Sequence, residues 1–455
     1  MTQRRGTTKA RALSLMTVGA LLAVGGCASS GGAAEEEQSP AEAGGDQAIA
    51  GPVSIWLDDN AVNPCFSEVI QNTYDNDDVE LTIELKKDWD SLTKTAVAGG
   101  GGPDVIMTPG PSYTAEYAKA GVLAPMGDYV EQYGWEGDFA PWALSLGVQE
   151  GELFSLPSEL ETIVLWYNAT VFEELGLEVP TTTEELVAVA DKLEAEGIVP
   201  FAGGNAEWKG ANEWYISAMF NAVAGPDAVY DALTGEGSFA DPGFVEATSI
   251  LADWQTSGQI AGGLDRYYTN KFDDSRAQLA EGTYAMNIEG TWLFENIDDF
   301  FSAAGNEWDW APFPTADGSE MFSIGVGSSW AINAASDYPA AAADVIAHIF
   351  EPEVQAQLAV ECGMALAPVE VDASMLEGID PREARMYESL ASASEAGDYG
   401  YLTWTFWPTA SNQYIIDEVE KVWNGSMSAE EYVQGLATTY EKDLASESTP
   451  PIPER

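Results

Sequence analysis

Val79, Leu81, Ile83 and Leu85 alternate strictly with polar residues, the period-two pattern of a strand with one buried face. Two further runs of strand length flank it, Val53-Ser54-Ile55-Trp56-Leu57 before and Asp104-Val105-Ile106-Met107 after the Gly99–Gly102 run. The stretches between them, about Phe66–Tyr74 and Trp89–Ala98, read as helices. Strands joined by helical crossovers run parallel, so this opening predicts βαβ units and an α/β fold. Farther on, Thr181-Thr182-Thr183-Glu184-Glu185 offers helix caps with acidic residues three positions later. Leu186, Val189, Ala190 and Leu193 then recur at helical spacing, and Gly197 stops the helix. Thr283–Ile288 alternates again, Ser329–Asn333 is a short strand candidate, and Tyr414–Trp423 and Ala429–Lys442 are the clearest helices of a mainly helical C-terminal half. No internal repeat is present in the sequence.

The first 27 residues bound the compartment. Arg4, Arg5, Lys9 and Arg11 form a basic start, and an apolar stretch from Ala12 to Val24 follows. It is shorter than the roughly 20 apolar residues of a membrane span and suits a secretory signal peptide, here residues 1–26. The end, Leu22-Ala23-Val24-Gly25-Gly26-Cys27, resembles the bacterial lipobox, in which the cysteine thiol takes a diacylglyceryl group. Residues 27–50, rich in Ala, Gly, Ser and Glu, read as a flexible tether. The expected location is the outer face of the cell membrane, anchored at Cys27. The remaining body of about 400 residues exceeds what one core sustains and predicts two domains.

Charge excludes whole classes of partner. The chain has 18 Lys and Arg against 75 Asp and Glu, a formal net charge of −57, and four of the 18 lie in the leader. Nucleic acid and anionic membrane surfaces both need a basic patch, so neither is an expected partner. Disorder is excluded too: 45% hydrophobic residues with 15 Trp, 18 Tyr and 16 Phe describe a chain that builds cores. The acid therefore reads as a solvated surface of a monomer. With Cys27 assigned to lipid, Cys65 and Cys362 remain, and an oxidising exterior permits one disulfide between them. No CxxC or Cys/His cluster exists, so neither metal nor cofactor is expected. The sole histidine, His348, lies in the apolar run Ala341–Phe350 and reads as a helix residue.

Enzyme signatures mostly fail. The Gly99–Gly102 run lacks the Lys-Ser/Thr of a phosphate-binding loop, and no GxSxG, HExxH or GxGxxG element sits between a strand and a helix. A glycoside hydrolase needs only two carboxylates about 5–10 Å apart across a cleft, with a raised pKa. Composition leaves that reading open.

Four stretches carry a resemblance. They are Gly102-Pro103-Asp104-Val105-Ile106 with Tyr117-Ala118-Lys119-Ala120-Gly121-Val122-Leu123; Leu165-Trp166-Tyr167-Asn168 with Leu175-Gly176-Leu177 and Pro180-Thr181-Thr182; Gly282-Thr283-Tyr284-Ala285-Met286-Asn287-Ile288-Glu289-Gly290-Thr291-Trp292; and Pro312-Phe313-Pro314-Thr315 with Ile324-Gly325-Val326-Gly327 and Trp330-Ala331-Ile332. In this order they resemble the extracellular solute-binding protein family that includes maltose-binding protein, from about Val53 to Leu444. The resemblance implies a type II two-lobed periplasmic-binding-protein-like fold with three hinge crossings, near residues 158–164, 311–316 and 366–370. Lobe 1 would comprise 51–160 and 316–366, lobe 2 would comprise 161–312 and 370–445, and 446–455 would be a disordered tail. Cys65 and Cys362 would then share lobe 1, where a disulfide is feasible. The implied function is capture of a mono- or oligosaccharide in the interlobe cleft for delivery to an ABC permease, with no bond made or broken. The alternatives are a polyol or glycerol phosphate, the latter disfavoured by sparse basic residues, and a surface glycosidase.

Sugar chemistry singles out residues. A pyranose has apolar faces that pack on aromatic rings and a rim of hydroxyls that donate to carboxylates and amides. Trp292 follows Glu289-Gly290-Thr291, where the family places a stacking tryptophan, and Glu161 stands at the family's distance before Trp166-Tyr167-Asn168 for a hydroxyl-binding carboxylate. Asp58 and Asn60 follow the first strand, at the carboxyl end where α/β sheets bind ligands. Trp208 and Trp214 lie in a Gly-, Asn- and Trp-rich stretch suited to a cleft wall, and Trp330, Trp407 and Tyr414 complete the candidate set. Trp166 and Trp404 fit core and cleft equally. After Met107 the sequence Thr108-Pro109-Gly110-Pro111-Ser112-Tyr113 departs from the family's maltodextrin binders, which points away from maltose and leaves Tyr113 as the replacement.

Overall fold

β1 (Gly51–Asp58) and β2 (Val79–Lys86) pair in parallel along their whole length, with Val53 opposite Leu81, Ile55 opposite Ile83 and Leu57 opposite Leu85. The helix between them, Asn63–Thr73, starts on Pro64 and buries Phe66, Val69 and Ile70, which the helical repeat brings to one stripe. β3 (Val105–Thr108) joins the other side of β1, also in parallel, after the helix Trp89–Ala98. This computed structural model describes residues 48–60, 62–446 and 449–454. The leader and Cys27 lie outside them, as does the tether up to residue 47.

The rest of the sheet turns on two long strands. β4 (Ser155–Asn168) is followed by β5 (Val199–Phe201), β6 (Tyr284–Gly290), β7 (Trp308–Pro312), β8 (Phe322–Ile332) and β9 (Tyr399–Tyr401). The order is β2-β1-β3-β8-β4-β6-β5, with β9 on β8 and β7 on β4. β4 changes partners midway: Ser155–Thr162 lie antiparallel to β8, whereas Ile163–Asn168 lie antiparallel to β6 and β7. β8 does the same, pairing with β9 at Phe322–Ile324 and with β3 at Ser329–Ile332.

Two large apolar cores lie at the two ends of this strand pair. One contains Val53, Ile55, Phe66, Ile70, Trp330, Ile332 and Ile346. The other contains Val164, Trp166, Leu186, Tyr215, Met286, Ile324, Leu390 and Tyr432. The helix Thr183–Ala195 that covers part of the second core carries the expected cap: Thr182 Oγ1 accepts from Glu185 N–H at 3.1 Å while Glu185 accepts from Thr182 N–H at 3.2 Å.

The cores move two of the expected crossings. Residues 311–316 stay with the second core, because Trp308–Pro312 pairs with the far half of β4 and Ala316 N–H donates to Ala222 O. The chain changes core later, inside β8, between Val326 and Trp330. Residues 366–370 stay with the first core, since Ala140 N–H donates to Pro368 O and Glu370 N–H to Asp138 O. The third crossing runs from Glu370 to the helix Pro381–Ala396, whose Met386 and Leu390 enter the second core. Residues 449–454 also differ from expectation. The Tyr401 hydroxyl donates to Pro453 O at 2.9 Å and Ile452 packs on the second core; a proline-rich segment lacks donors, but its carbonyls find tyrosine hydroxyls.

Cys65 and Cys362 form a disulfide, with Cα atoms 5.7 Å apart across 297 residues of sequence. It ties the helix Asn63–Thr73 to the end of the helix Pro352–Cys362 beside the first core. His348 stands in the helix Pro339–Ile349, with Nε2 2.9 Å from Thr73 Oγ1 and Nδ1 3.1 Å from Glu351.

Candidate functional site

Where β1 ends at Asp58 and the strand pair changes core, a cavity of about 900 Å³ opens. The first core's side supplies Asp58, Asn60, Trp89 and Tyr113; the other supplies Trp208, Glu213, Trp214, Phe272, Trp292, Trp404 and Trp407. A smaller cavity of about 400 Å³ adjoins it, sharing Asp58, Asn60, Trp89 and Gly327.

The aromatic wall follows from local chain geometry. β6 ends at Gly290 and the 3-10 turn Thr291–Glu295 brings the Trp292 indole back over that glycine, where a Cβ would lie 2.1 Å from the ring. Trp292 Nε1 donates to Glu289 at 3.0 Å, and Glu289 also accepts from Asn287 Nδ2 at 2.6 Å and from Arg276. This lock fixes the ring. Trp214 lies against it with centroids 5.1 Å apart and Trp404 meets it edge-on at 5.6 Å. Trp214 in turn contacts Phe272 at 4.9 Å and the rim residue Trp208, 57% exposed, at 5.8 Å.

Carboxyl groups face this wall. Glu161, on β4 at the change of core, accepts from Trp404 Nε1 at 2.9 Å. Burial, reinforced by the nearby Glu159 charge, holds its carboxyl well above the usual range. Gly327 leaves room for this carboxyl: a Cβ there would lie 2.4 Å from Glu161 Oε1 and displace it. Glu159 takes a left-handed φ of 58°, a costly backbone for a side chain with a Cβ, and accepts from Ser328 Oγ at 2.6 Å. Glu213 is 2% exposed, accepts from Thr403 Oγ1 at 3.4 Å, and is pushed by burial up to about 7. Four buried polar atoms on the lining have no partner within the protein: Trp89 Nε1, Trp407 Nε1, Thr409 Oγ1 and Asn412 Oδ1. Buried polar atoms are nearly always satisfied, and four of the ten that are not, among the described residues, belong to residues of this lining. Among the described residues no group of His, Cys, Asp or Glu is arranged to hold a metal ion.

A proton-linked stability follows from Glu213. Its folded carboxyl binds a proton more tightly than the unfolded one, so its contribution to stability is present at low pH and lost as pH rises through about 7. Urea unfolding of the unliganded protein should show wild type losing about 3 kcal/mol relative to Glu213→Gln between pH 4.5 and pH 8. Parallel pH curves for the two proteins would refute it.

Of the residues singled out in the sequence, Asp58, Asn60, Tyr113, Glu161, Trp208, Trp214, Trp292 and Trp407 line the main cavity. Two do not. Trp330 is 3% exposed, stacks on Phe66 at 5.5 Å and reaches only the smaller cavity. Tyr414 faces the neighbouring helix: it stacks on Tyr432 at 5.7 Å, donates to Tyr432 O at 3.1 Å, and fills the space over Gly435. Asn60 has a second task, accepting from the backbone N–H groups of Val62 and Asn63 at the start of a helix. Trp166 is core, fully buried with its Nε1 donating to Glu289 O. Sequence reasoning missed Trp89, Glu213, Phe272, Arg276, Thr409 and Asn412. Trp89 alone carried a signal, as an apolar ring at a helix start just after β2.

Comparison with known proteins agrees with this architecture. A probable sugar-binding periplasmic protein of Brucella suis biovar 1 is 23% identical over 386 residues, covering 78% of this chain and 87% of the relative. A maltotriose-binding protein of Pyrococcus abyssi is 26% identical over 287 residues, covering 60% of this chain and 56% of the relative. Among solved structures, a chitin oligosaccharide binding protein superposes with a TM-score of 0.75 at 20% identity, over 88% of this chain and 100% of that one. Its likeness is one of fold: a two-lobed α/β architecture. Residues 66–356, more than half of the chain, match the bacterial extracellular solute-binding proteins, and the chain belongs to that family.

Proposed function

We propose that the protein is the substrate-binding lipoprotein of an ABC importer, that it binds a mono- or oligosaccharide between its two lobes, and that it hands the sugar to permease subunits in the membrane. The observation that carries this reading is the pairing of an aromatic wall, Trp214, Trp292 and Trp404, with buried carboxyl acceptors, Glu161 and Glu213, on one cavity. Rings match the C–H faces of a pyranose and acceptors match its hydroxyls. Relatives named for sugar, maltotriose and chitin oligosaccharide binding support the same class. Trp292, Trp214, Trp208 and Trp407 are the ring contacts in this reading, with Glu161, Asp58, Asn60 and Tyr113 the polar ones.

The lobes close on the ligand about the strand crossings, a motion general to periplasmic binding proteins. The protein acts as a monomer held by lipid on Cys27 at the outer face of the cell membrane, without nucleic acid as a partner. A glycosidase also uses two carboxyls in one cleft, and turnover separates the readings. Calorimetry against a saccharide panel should give a Kd near micromolar, about −8 kcal/mol, with the sugar recovered intact. No binding by any saccharide would sink the proposal, and release of a shortened product would replace it with the enzyme.

A further inference from the structure

The cleft holds more acid than its own cations neutralise. Two basic residues line it, and both are committed. Lys209 Nζ contacts Asp417 and Glu420, each at 3.1 Å, and Arg276 contacts Glu289 and, at 3.3 Å, Asp273. The donors to these carboxyls are neutral: the Trp404 indole for Glu161, the Thr403 hydroxyl and the Asn412 side chain for Glu213, and the Ser328 hydroxyl for Glu159. Asp58 faces the same space. Buried without a cation, these carboxyls hold protons in the empty protein in place of charge, and an ammonium beside their oxygens takes the place of those protons.

A second observation points independently to a ligand at this spot. Trp407 Nε1, on a fully buried ring of the cavity lining, has no acceptor in the protein. The faces of Trp292, Trp404 and Trp214 beside the carboxyls have the quadrupole that attracts a cation as well as the area that packs on a sugar ring.

We infer that the preferred ligand is an amine-bearing saccharide, its ammonium received by Glu161 and Glu213, its ring carried by Trp292, and one of its oxygens accepting from Trp407. This inference rests on the saccharide reading and narrows it. Neutral hydroxyls satisfy a carboxylate with a single dipole, whereas an ammonium neutralises its charge and forms the stronger, charge-assisted bond. Sugar phosphates and uronic acids are disfavoured for the same reason, because no uncommitted cation on the lining is available to receive them.

The test is calorimetry on the mature chain with matched pairs: glucosamine and glucose, galactosamine and galactose, mannosamine and mannose, chitosan oligosaccharides and cello-oligosaccharides of equal length. For the stereochemistry that binds, the amine member should be tighter by about tenfold, and Glu213→Gln should bring the two members to within about twofold. Equal or tighter binding of the neutral member overturns the inference and leaves the saccharide reading standing. Binding by no member of any pair overturns both. The wild-type pairs decide the matter even if the substituted protein folds poorly.

Discussion

Trp292→Ala should lower affinity for the bound saccharide by about 30-fold or more, with the unliganded protein still folded. The magnitude follows from what the ring is: a large apolar surface held in one orientation at the centre of the aromatic wall, the position at which truncation typically costs 2 kcal/mol or more. Its orientation comes from the hydrogen bond to Glu289 and from Gly290 beneath it, so no ordering is needed when ligand arrives. The loss should appear in the dissociation rate. Trp292→Phe, which keeps a ring but loses the indole N–H, should recover part of the affinity. Unchanged affinity in Trp292→Ala, with circular dichroism as in wild type, would remove the residue from the site.

That residue was legible in the sequence because it ends a run with a recognisable order, Gly282 through Trp292, on a strand whose alternation fixes its direction. β1, β2 and β3 were legible for the same reason: each carries its own period. The crossings were harder. β8 reads through Gly325, Gly327 and two serines as a broken pattern, yet it is one strand of eleven residues, because small residues there make room for Glu161 and Thr405. Glu213 was hidden differently. It lies in a helix whose every residue is buried, so no amphipathic stripe set it apart, and only the tertiary fold puts it on the cavity lining. Tyr414 shows the opposite failure, an aromatic in the right part of the chain whose ring the next helix claims.

Replacing both Cys65 and Cys362 by serine should destabilise the protein by about 4–5 kcal/mol, and its melting temperature should fall by about 6 °C. The bond closes a segment of 297 residues, most of the folded body, and constraint of the unfolded chain grows with the size of the loop it closes. The cysteines lie beside the first core and outside the lining of the cavity, so saccharide affinity at a temperature where both proteins are folded should be unchanged. Urea unfolding of oxidised, reduced and substituted protein gives the measurement. Midpoints that agree to within experimental error would show that the bond adds nothing to stability.

The two strands that pass between the cores are hydrogen-bonded to each other across the passage, Gly325 opposite Glu161 and Ser328 opposite Ser158. The third passage has no such ladder: residues 372–375 and 377–378 are exposed. It holds one short 3-10 turn, Ala373–Leu376, capped by Asp372, and exposed loops are where nicking concentrates, so limited digestion should cut the chain first in that segment. The nicked protein would stay in one piece, still joined by both strands of the ladder and able to turn about them. Continuity of the third segment is therefore dispensable for opening and closing, and an inserted tag or reporter belongs there.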